Sequence, residues 1–312
     1  MNRIRRSATA LTGLAVVLAL SSCGSDSSSG DDKFSSGTPD NGTIVIGSAN
    51  FPENELLMEI YAGALEAKGV DVETKPNIGA REIYLKAFEQ GEIGLLPEYN
   101  GALLSYLSGS KGVAKGITSP DDVYAALQKV LPDGAETLPQ SAAEDKDTLT
   151  VTPETAQKYD LSSIADLAPV ASQLSVGAGA EWRERYQGLV GLKDLYGVEF
   201  GEFKPLDSGG PLTIAALKDG SVDVANVFST DPNIAANKWV VLSDPKNLYL
   251  AENIVPLIQS DLVTPDVKDA LDAVSQALTT DNLTSMMAEV VLDKKDPKVV
   301  ASEFLSDNGL DG

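Results

Sequence analysis

The stretch "AFEQGEIGLLPEY" at 87–99 is written again, in outline, as "ALKDGSVDVANVF" at 216–228. The two share the leading alanine, the glycine four places on, the apolar run and a terminal aromatic. That pattern reads as a helix end, a glycine turn and a short buried strand, because glycine stops helices and a brief apolar run between turn residues suits a strand. A chain that writes this unit twice, so far apart, is restricted to folds in which helix and strand alternate in two places.

The surrounding sequence follows the same grammar. "TIVIGS" predicts a strand, and "ENELLMEIYAGALEAKG" carries Leu56, Leu57, Ile60, Tyr61, Ala64 and Leu65 at helical spacing, closed by Gly69. "VDVETK" predicts a second strand, "AREIYLKAFEQ" a helix and "IGLLP" a third strand. The alternation restarts near Leu149 with "LSVGA" as strand, "GLVGLKDLYG" as helix, "EFKPL" as strand, "GPLTIAALKDG" as helix and "VDVANVF" as strand. "WVVLSD" and "NIVPLIQS" add strands, and the C-terminal third is largely helical. Such alternation predicts an α/β protein with mainly parallel sheets covered by helices, and 312 residues suffice for two lobes. Ligands of open α/β sheets bind beyond the carboxyl ends of strands. Tyr99 and Phe228 are therefore expected on opposite walls of one cleft. The alternative, equally open on pattern alone, is that both rings fill cores.

Composition removes several function classes. A net charge of −22 leaves no basic surface to neutralise phosphates, so nucleic acid is excluded as a partner. The chain has no histidine, which removes His triads and most zinc sites, and its one cysteine, Cys23, permits neither an internal disulfide nor a thiolate metal site. No cofactor and no metal is expected.

Arg3, Arg5 and Arg6 precede an apolar run over 8–20, too short to span a bilayer comfortably, which ends in Leu20-Ser21-Ser22-Cys23. This leader resembles a bacterial lipobox, in which the cysteine is acylated and becomes the first residue after cleavage. The following "GSDSSSGDDKFSSGTPDNG" can bury almost nothing and reads as a flexible tether over 24–42. An acyl chain contributes about 0.8 kcal/mol per buried methylene, so two or more chains anchor stably. The expectation is an extracytoplasmic body held at the outer face of the cell membrane through Cys23.

Three stretches, "IVIGSANFPENELLMEIYAGALEAKG", "NIGAREIYLKAFEQGEIGLLPEYNGALL" and "DVANVFSTDPNIAANKWVVLSDPKNLYLAENIVPLI", resemble the substrate-binding proteins of bacterial ABC importers for osmoprotectants such as glycine betaine, choline, carnitine and proline betaine. The likeness runs over most of 43–310 and leans toward lipoprotein members from high-GC Gram-positive bacteria. Pro97-Glu98-Tyr99-Asn100-Gly101 and Phe228-Ser229-Thr230-Asp231 are its most specific blocks. It implies a two-lobed periplasmic-binding-protein fold, type II-like, with the ligand cleft between the lobes. Lobe one would comprise 43–148 and a return over 254–312, with 149–253 as lobe two and crossings near 147–152 and 251–256. It implies a monomer that hands a small solute to permease subunits driven by a cytoplasmic ATPase, and no catalysis.

A quaternary ammonium cannot donate a hydrogen bond and is held by aromatic ring faces, at about 0.5–2 kcal/mol per ring. Betaine-binding members of the family use a tyrosine cage. By the resemblance, Tyr99 matches one cage position and Phe228 another without its hydroxyl, whereas Glu82 and Asp147 stand at two more where an aromatic is expected. A carboxylate there repels the carboxylate of betaine but suits an ammonium or a hydroxyl. Ser48 and Asn50, after a strand end, are candidates to meet a ligand oxygen, as are Ser229 and Thr230. Arg81, read as an exposed helix residue, is a candidate clamp for an anionic group. Asp231 before Pro232 reads as a helix cap. The direction of Trp182 and Tyr186 in "AEWRERYQG" is left open by their spacing.

Three alternatives accompany this reading: the same transport role with a polyol or aromatic solute, an extracytoplasmic hydrolase using Asp147 and Glu98 as a carboxylate pair, and a structural envelope lipoprotein. The anchor is tested apart from the site. Cys23→Ala is expected to move the protein from the membrane fraction to precursor or released forms, and an unchanged membrane fraction would remove the lipoprotein expectation.

Overall fold

The computed structural model describes residues 42–109 and 112–312. The leader, Cys23 and the tether up to residue 41 lie outside the described residues. The first run of elements is β1 (Ile44–Ala49), α1 (Pro52–Ala67), β2 (Val72–Gly79), α2 (Arg81–Glu89), β3 (Leu95–Tyr99), α3 (Asn100–Ser108), α4 (Pro120–Leu127) and β4 (Ala135–Thr137). The second is β5 (Asp147–Val151), α5 (Pro153–Tyr159), β6 (Ser175–Gly179), β7 (Glu202–Leu206), α6 (Pro211–Lys218), β8 (Val224–Phe228), α7 (Pro232–Ala236) and β9 (Val240–Val241). The chain then returns through β10 (Ile254–Gln259) to α8 (Pro265–Ala277), α9 (Thr280–Val291) and α10 (Pro297–Asp307).

These strands make two five-stranded mixed sheets, ordered β2-β1-β3-β10-β4 and β7-β6-β8-β5-β9. The echoed strands β3 and β8 are the central strand of each. Both turns close through a left-handed glycine, Gly91 at φ 74° and Gly220 at φ 76°, which explains why the glycine recurs. β3 runs parallel to β1 on one side and antiparallel to β10 on the other. β8 likewise runs parallel to β6 and antiparallel to β5. In each lobe, then, the echoed strand is paired with the strand that has just arrived from the other lobe.

The helices cover both faces of each sheet, as buried apolar strands require. On one face of the first sheet α1 packs with the three C-terminal helices around Leu56, Leu57, Ile60, Leu271 and Leu283, and on the other α3 and α4 pack around Phe88, Leu96, Leu103 and Leu127. The second sheet has its larger core around Leu149, Ile164, Val176 and Trp182 and a smaller one around Leu217, Val227 and Trp239.

Three expectations are corrected. The sheets are not mainly parallel: each has two parallel and two antiparallel pairings, because the strand returning from the other lobe inserts antiparallel beside the central strand and carries an antiparallel edge strand. The residues 147–151 are not a crossing but β5, fully within the second sheet, so the first change of sheet falls between β4 and β5 and the second between β9 and β10. The two connections run antiparallel, bridged at Glu144 and Asn253, with Asp145 N–H donating to Glu252 O at 3.1 Å and Ile254 N–H to Ala143 O at 3.1 Å. The helix expected over 188–197 is instead two wide turns, Tyr186–Val190 and Leu192–Tyr196, with Gly188 extended at φ −110°, ψ −138°. The cause is contact: a Cβ on Gly188 would lie 1.7 Å from the Trp182 carbonyl oxygen, so the chain departs from regular helix where it passes that backbone.

Asn100, the first residue of α3, stitches the return connection to β3: its Oδ1 accepts from Asn253 N–H at 2.9 Å and its own N–H donates to Asn253 O at 3.0 Å. Next to it, a Cβ on Gly101 would lie 2.3 Å from the Ala251 carbonyl oxygen. Gly101→Ala is expected to lower stability by about 1–3 kcal/mol in urea unfolding, because alanine's helix preference of about 1 kcal/mol does not offset a clash with backbone. An unchanged midpoint would mean that the connection yields freely at this point.

Candidate functional site

Proline at the first position of α1 confines the preceding residue to extended backbone, and Phe51 sits there at φ −142°, ψ 153°. This turns its ring into the space between the sheets. The Phe51 ring centre lies 4.9 Å from that of Phe228 and 6.0 Å from that of Tyr99, with tilted planes in both cases. The two strand-end rings therefore do face one cleft, with a third ring between them. Trp182, on the turn after β6, and Asn50 line the same cavity, together with Arg81, Asp145, Asp147, Glu181, Arg185, Asn226 and Glu252. The cavity has a volume of about 40 Å³.

The position of each ring follows from strand register. Tyr99 ends β3 opposite Ile254, and Phe228 ends β8 opposite Asp147, so each ring stands beside the first residue of a strand leaving the connections. Tyr99 is only 5 % exposed and belongs also to the core of the first lobe. Its ring is at once cleft wall and core, which joins the two readings that the pattern left open. Its hydroxyl donates to Glu53 Oε1 at 2.8 Å.

Charge in the cleft is arranged in pairs. Arg81 is buried, not exposed as the helix position suggested, and its Nε and Nη2 donate to the two oxygens of Glu98, each at 3.0 Å. Burial opposes the guanidinium's charge, but Glu98 beside it holds its pKa well above the ordinary value. Glu98 accepts further bonds from the Tyr84 hydroxyl at 2.5 Å and Tyr99 N–H at 3.0 Å. A carboxylate so occupied is a structural counter-ion, which removes the Asp147–Glu98 acid/base pair from consideration. Arg185 donates to Glu82 through Nε at 2.9 Å and Nη2 at 2.7 Å, from the second lobe to the first. Although partial burial acts the other way, Arg185 lowers the pKa of Glu82. Glu82 thus faces a neighbouring hollow with Tyr106 and Tyr186 and not the ring cavity.

Among the described residues, no cation lies within ion-pair distance of Asp147 or Glu252. Asp147 accepts from Asn226 Nδ2 at 2.7 Å and Glu252 from Gln187 Nε2 at 2.5 Å. Burial raises the pKa of both, and the neighbouring Asp147 raises that of Glu252 further. Trp182 Nε1 and the Tyr249 hydroxyl, both buried, have no hydrogen-bond partner among the described residues. Tyr249 feels the charges of Asp147, Asp244 and Glu252, and burial raises its phenol strongly.

Other candidates work at the seam between the lobes. Thr230 donates through Oγ1 to Glu53 and through N–H to Asp145 Oδ1 at 3.0 Å. The Ser229 hydroxyl donates to Asp145 Oδ1 at 3.0 Å and accepts from Lys146 N–H at 2.8 Å. Ser48 does not reach the cavity: its buried hydroxyl accepts from Asn77 N–H at 2.9 Å and donates to Ala49 O at 3.1 Å, satisfied where the end of β1 meets β2. Asp231 caps α7, accepting from Asn233 N–H at 2.7 Å, as expected. Sequence reasoning missed Phe51, Glu53, Asp145, Arg185 and Glu252. The one local signal was Phe51, an aromatic before proline after a strand end; the others depend on which loops the two connections bring together.

Glu53 and Asp145 are each 2 % exposed and share the Thr230 corner. Burial, then the Glu53 charge, push Asp145 well above the carboxylate range, and burial raises Glu53 despite the hydrogen bonds it accepts. A raised folded pKa supports the fold fully below the unfolded value of 3.8 and loses that support as pH rises through the folded pKa. The stability difference between Asp145→Asn and wild type is therefore expected to move in favour of the variant as pH rises from about 4. Urea unfolding across that range measures it; a difference independent of pH would mean that Asp145 ionises at its ordinary pKa.

With this geometry in hand, comparisons with known proteins agree with one another. Residues 42–307 match the family described as the substrate binding domain of ABC-type glycine betaine transport system. The carnitine transport binding protein OpuCC of Listeria monocytogenes is 26 % identical over 273 residues, covering 85 % of this chain and 87 % of that protein. The glycine betaine-binding protein YehZ of Escherichia coli is 25 % identical over 278 residues, covering 85 % and 90 %. A solved structure titled as a glycine betaine/carnitine/choline ABC transporter superposes with a TM-score of 0.65 at 25 % identity, covering 86 % of this chain and all of that one.

Proposed function

Because the chain belongs to the family of substrate-binding domains of ABC-type glycine betaine transport systems, with their two-lobed periplasmic-binding-protein fold, we propose that it captures a small quaternary ammonium solute in the ring-lined cleft and delivers it to an ABC importer. The observation that carries the reading is the convergence of Phe51, Tyr99, Phe228 and Trp182 on one cavity bounded by carboxylates. Ring faces attract a methylated ammonium, and the carboxylates favour positive charge.

In this reading Phe228 and Tyr99 hold the cation with Phe51, Asp147 faces it, and Asn50 stands at the entrance. Glu82, Arg81, Ser229 and Thr230 position the walls and the closed arrangement of the lobes, and Ser48 supports the loop that carries Phe51. The body works outside the cell as a monomer, held to the membrane by an acyl group on Cys23, and meets permease subunits whose energy comes from a cytoplasmic ATPase. Closure is a hinge motion about the paired connections.

Calorimetry and thermal shift with choline, glycine betaine and carnitine test the proposal, since a binder stabilises by RT ln(1 + [L]/Kd). Phe228→Ala is expected to weaken binding by about 1–3 kcal/mol and Phe228→Leu to remain weak, because leucine restores bulk but not the π face. Tyr99→Ala should lose affinity and melt lower as well, given its place in the core. Full affinity in the Phe228 variants would overturn the ring-cage reading.

A further inference from the structure

Two arginines line the cleft among the described residues, and each is already matched by a carboxylate in bidentate geometry, Arg81 by Glu98 and Arg185 by Glu82. A carboxylate on a solute would need one of them. Arg81 is held in a buried pair with Glu98, whose side chain is wholly inaccessible, so freeing it would strand a charge in the interior. Arg185 is more accessible, but releasing it breaks the ion pair across the lobes.

The same cavity presents Asp147, Glu252, Asp145 and Glu181. Asp147 and Glu252 each have one side-chain amide as donor, from Asn226 and Gln187, and no cation within ion-pair distance among the described residues. Around this pair stand Arg81, Arg185, Tyr249 and, across the connection, Glu144, whose Oε1 accepts from Glu252 N–H at 3.2 Å. Both arginine charges are thus balanced by Glu98 and Glu82, leaving the cavity with a surplus of acid.

Resting on the quaternary ammonium reading above, we infer that this cleft selects net cations over zwitterions: its solute carries an ammonium for the rings and a hydrogen-bond donor for Asp147 and Glu252, and no carboxylate. Glu82 and Glu98 set this preference by occupying the two arginines that would otherwise receive a solute carboxylate.

Choline and glycine betaine make the test, since they share the trimethylammonium and differ in a hydroxyl against a carboxylate. Titration calorimetry on the wild-type protein is expected to show choline bound roughly tenfold or more tightly than betaine. Glu82→Gln, which frees Arg185, and the isosteric Asp147→Asn should each shrink the choline-to-betaine ratio; the ratio is read because either variant can also alter closure. Betaine bound as tightly as choline overturns this inference while leaving the ring-cage reading intact. A ratio unchanged in both variants overturns the role given to the carboxylates. Binding of neither compound overturns the quaternary ammonium reading and this one with it.

Discussion

Each central strand of the two sheets is hydrogen-bonded, antiparallel, to a strand that has just crossed from the other lobe, and the site is organised around that pairing. β10 lies against β3 and β5 against β8, in the same relation in both lobes. A strand that enters a sheet from a connection begins where its antiparallel neighbour ends. The residue ending the neighbour is therefore placed beside the gap between the lobes, whatever its type. Tyr99 and Phe228 occupy those two positions, and the repeated helix-glycine-strand unit is the means by which each lobe delivers a ring there.

Closeness of the lobes creates an electrostatic problem, because the connections and the first turn of α1 bring many carboxylates into a space with little water. An uncompensated buried carboxylate is strongly disfavoured, so each is paired, hydrogen-bonded or protonated. Glu98 is paired with Arg81, Glu82 with Arg185, and Glu53 and Asp145 meet at Thr230 with their pKa values raised. Asp147 and Glu252 are left with amide donors only. In the proposed reading, their remaining electrostatic demand draws positive charge into the cleft.

Three side-chain contacts span the cleft at the site. Phe51 packs on Phe228, Glu53 accepts from Thr230, and Glu82 pairs with Arg185. The last is partly open to water and contributes on the order of 1 kcal/mol or less to holding the lobes together. Under the proposed hinge about the two paired connections, a solute that replaces the Phe51–Phe228 contact with its own ring contacts favours the closed arrangement.

Local pattern determined the elements: apolar runs and glycines placed nearly every strand, the duplicated unit announced two lobes, and the strand-end rule put Tyr99 and Phe228 on a common cleft. Pro232 and Asp231 wrote a cap that forms as read. Tertiary structure decided what the side chains do there. Arg81 and Glu82 are neighbours at the start of one helix, yet one is buried on Glu98 and the other reaches Arg185 in the opposite lobe, since helical geometry sends adjacent residues to different faces. Glu252 lies far from Asp145 and Asp147 in sequence, and the three become a cluster only because the two connections run antiparallel past one another. A helix or a strand is specified by neighbours within a few residues, whereas the charge of a cleft depends on which segments share the same small volume, and that is settled by the packing of the whole chain.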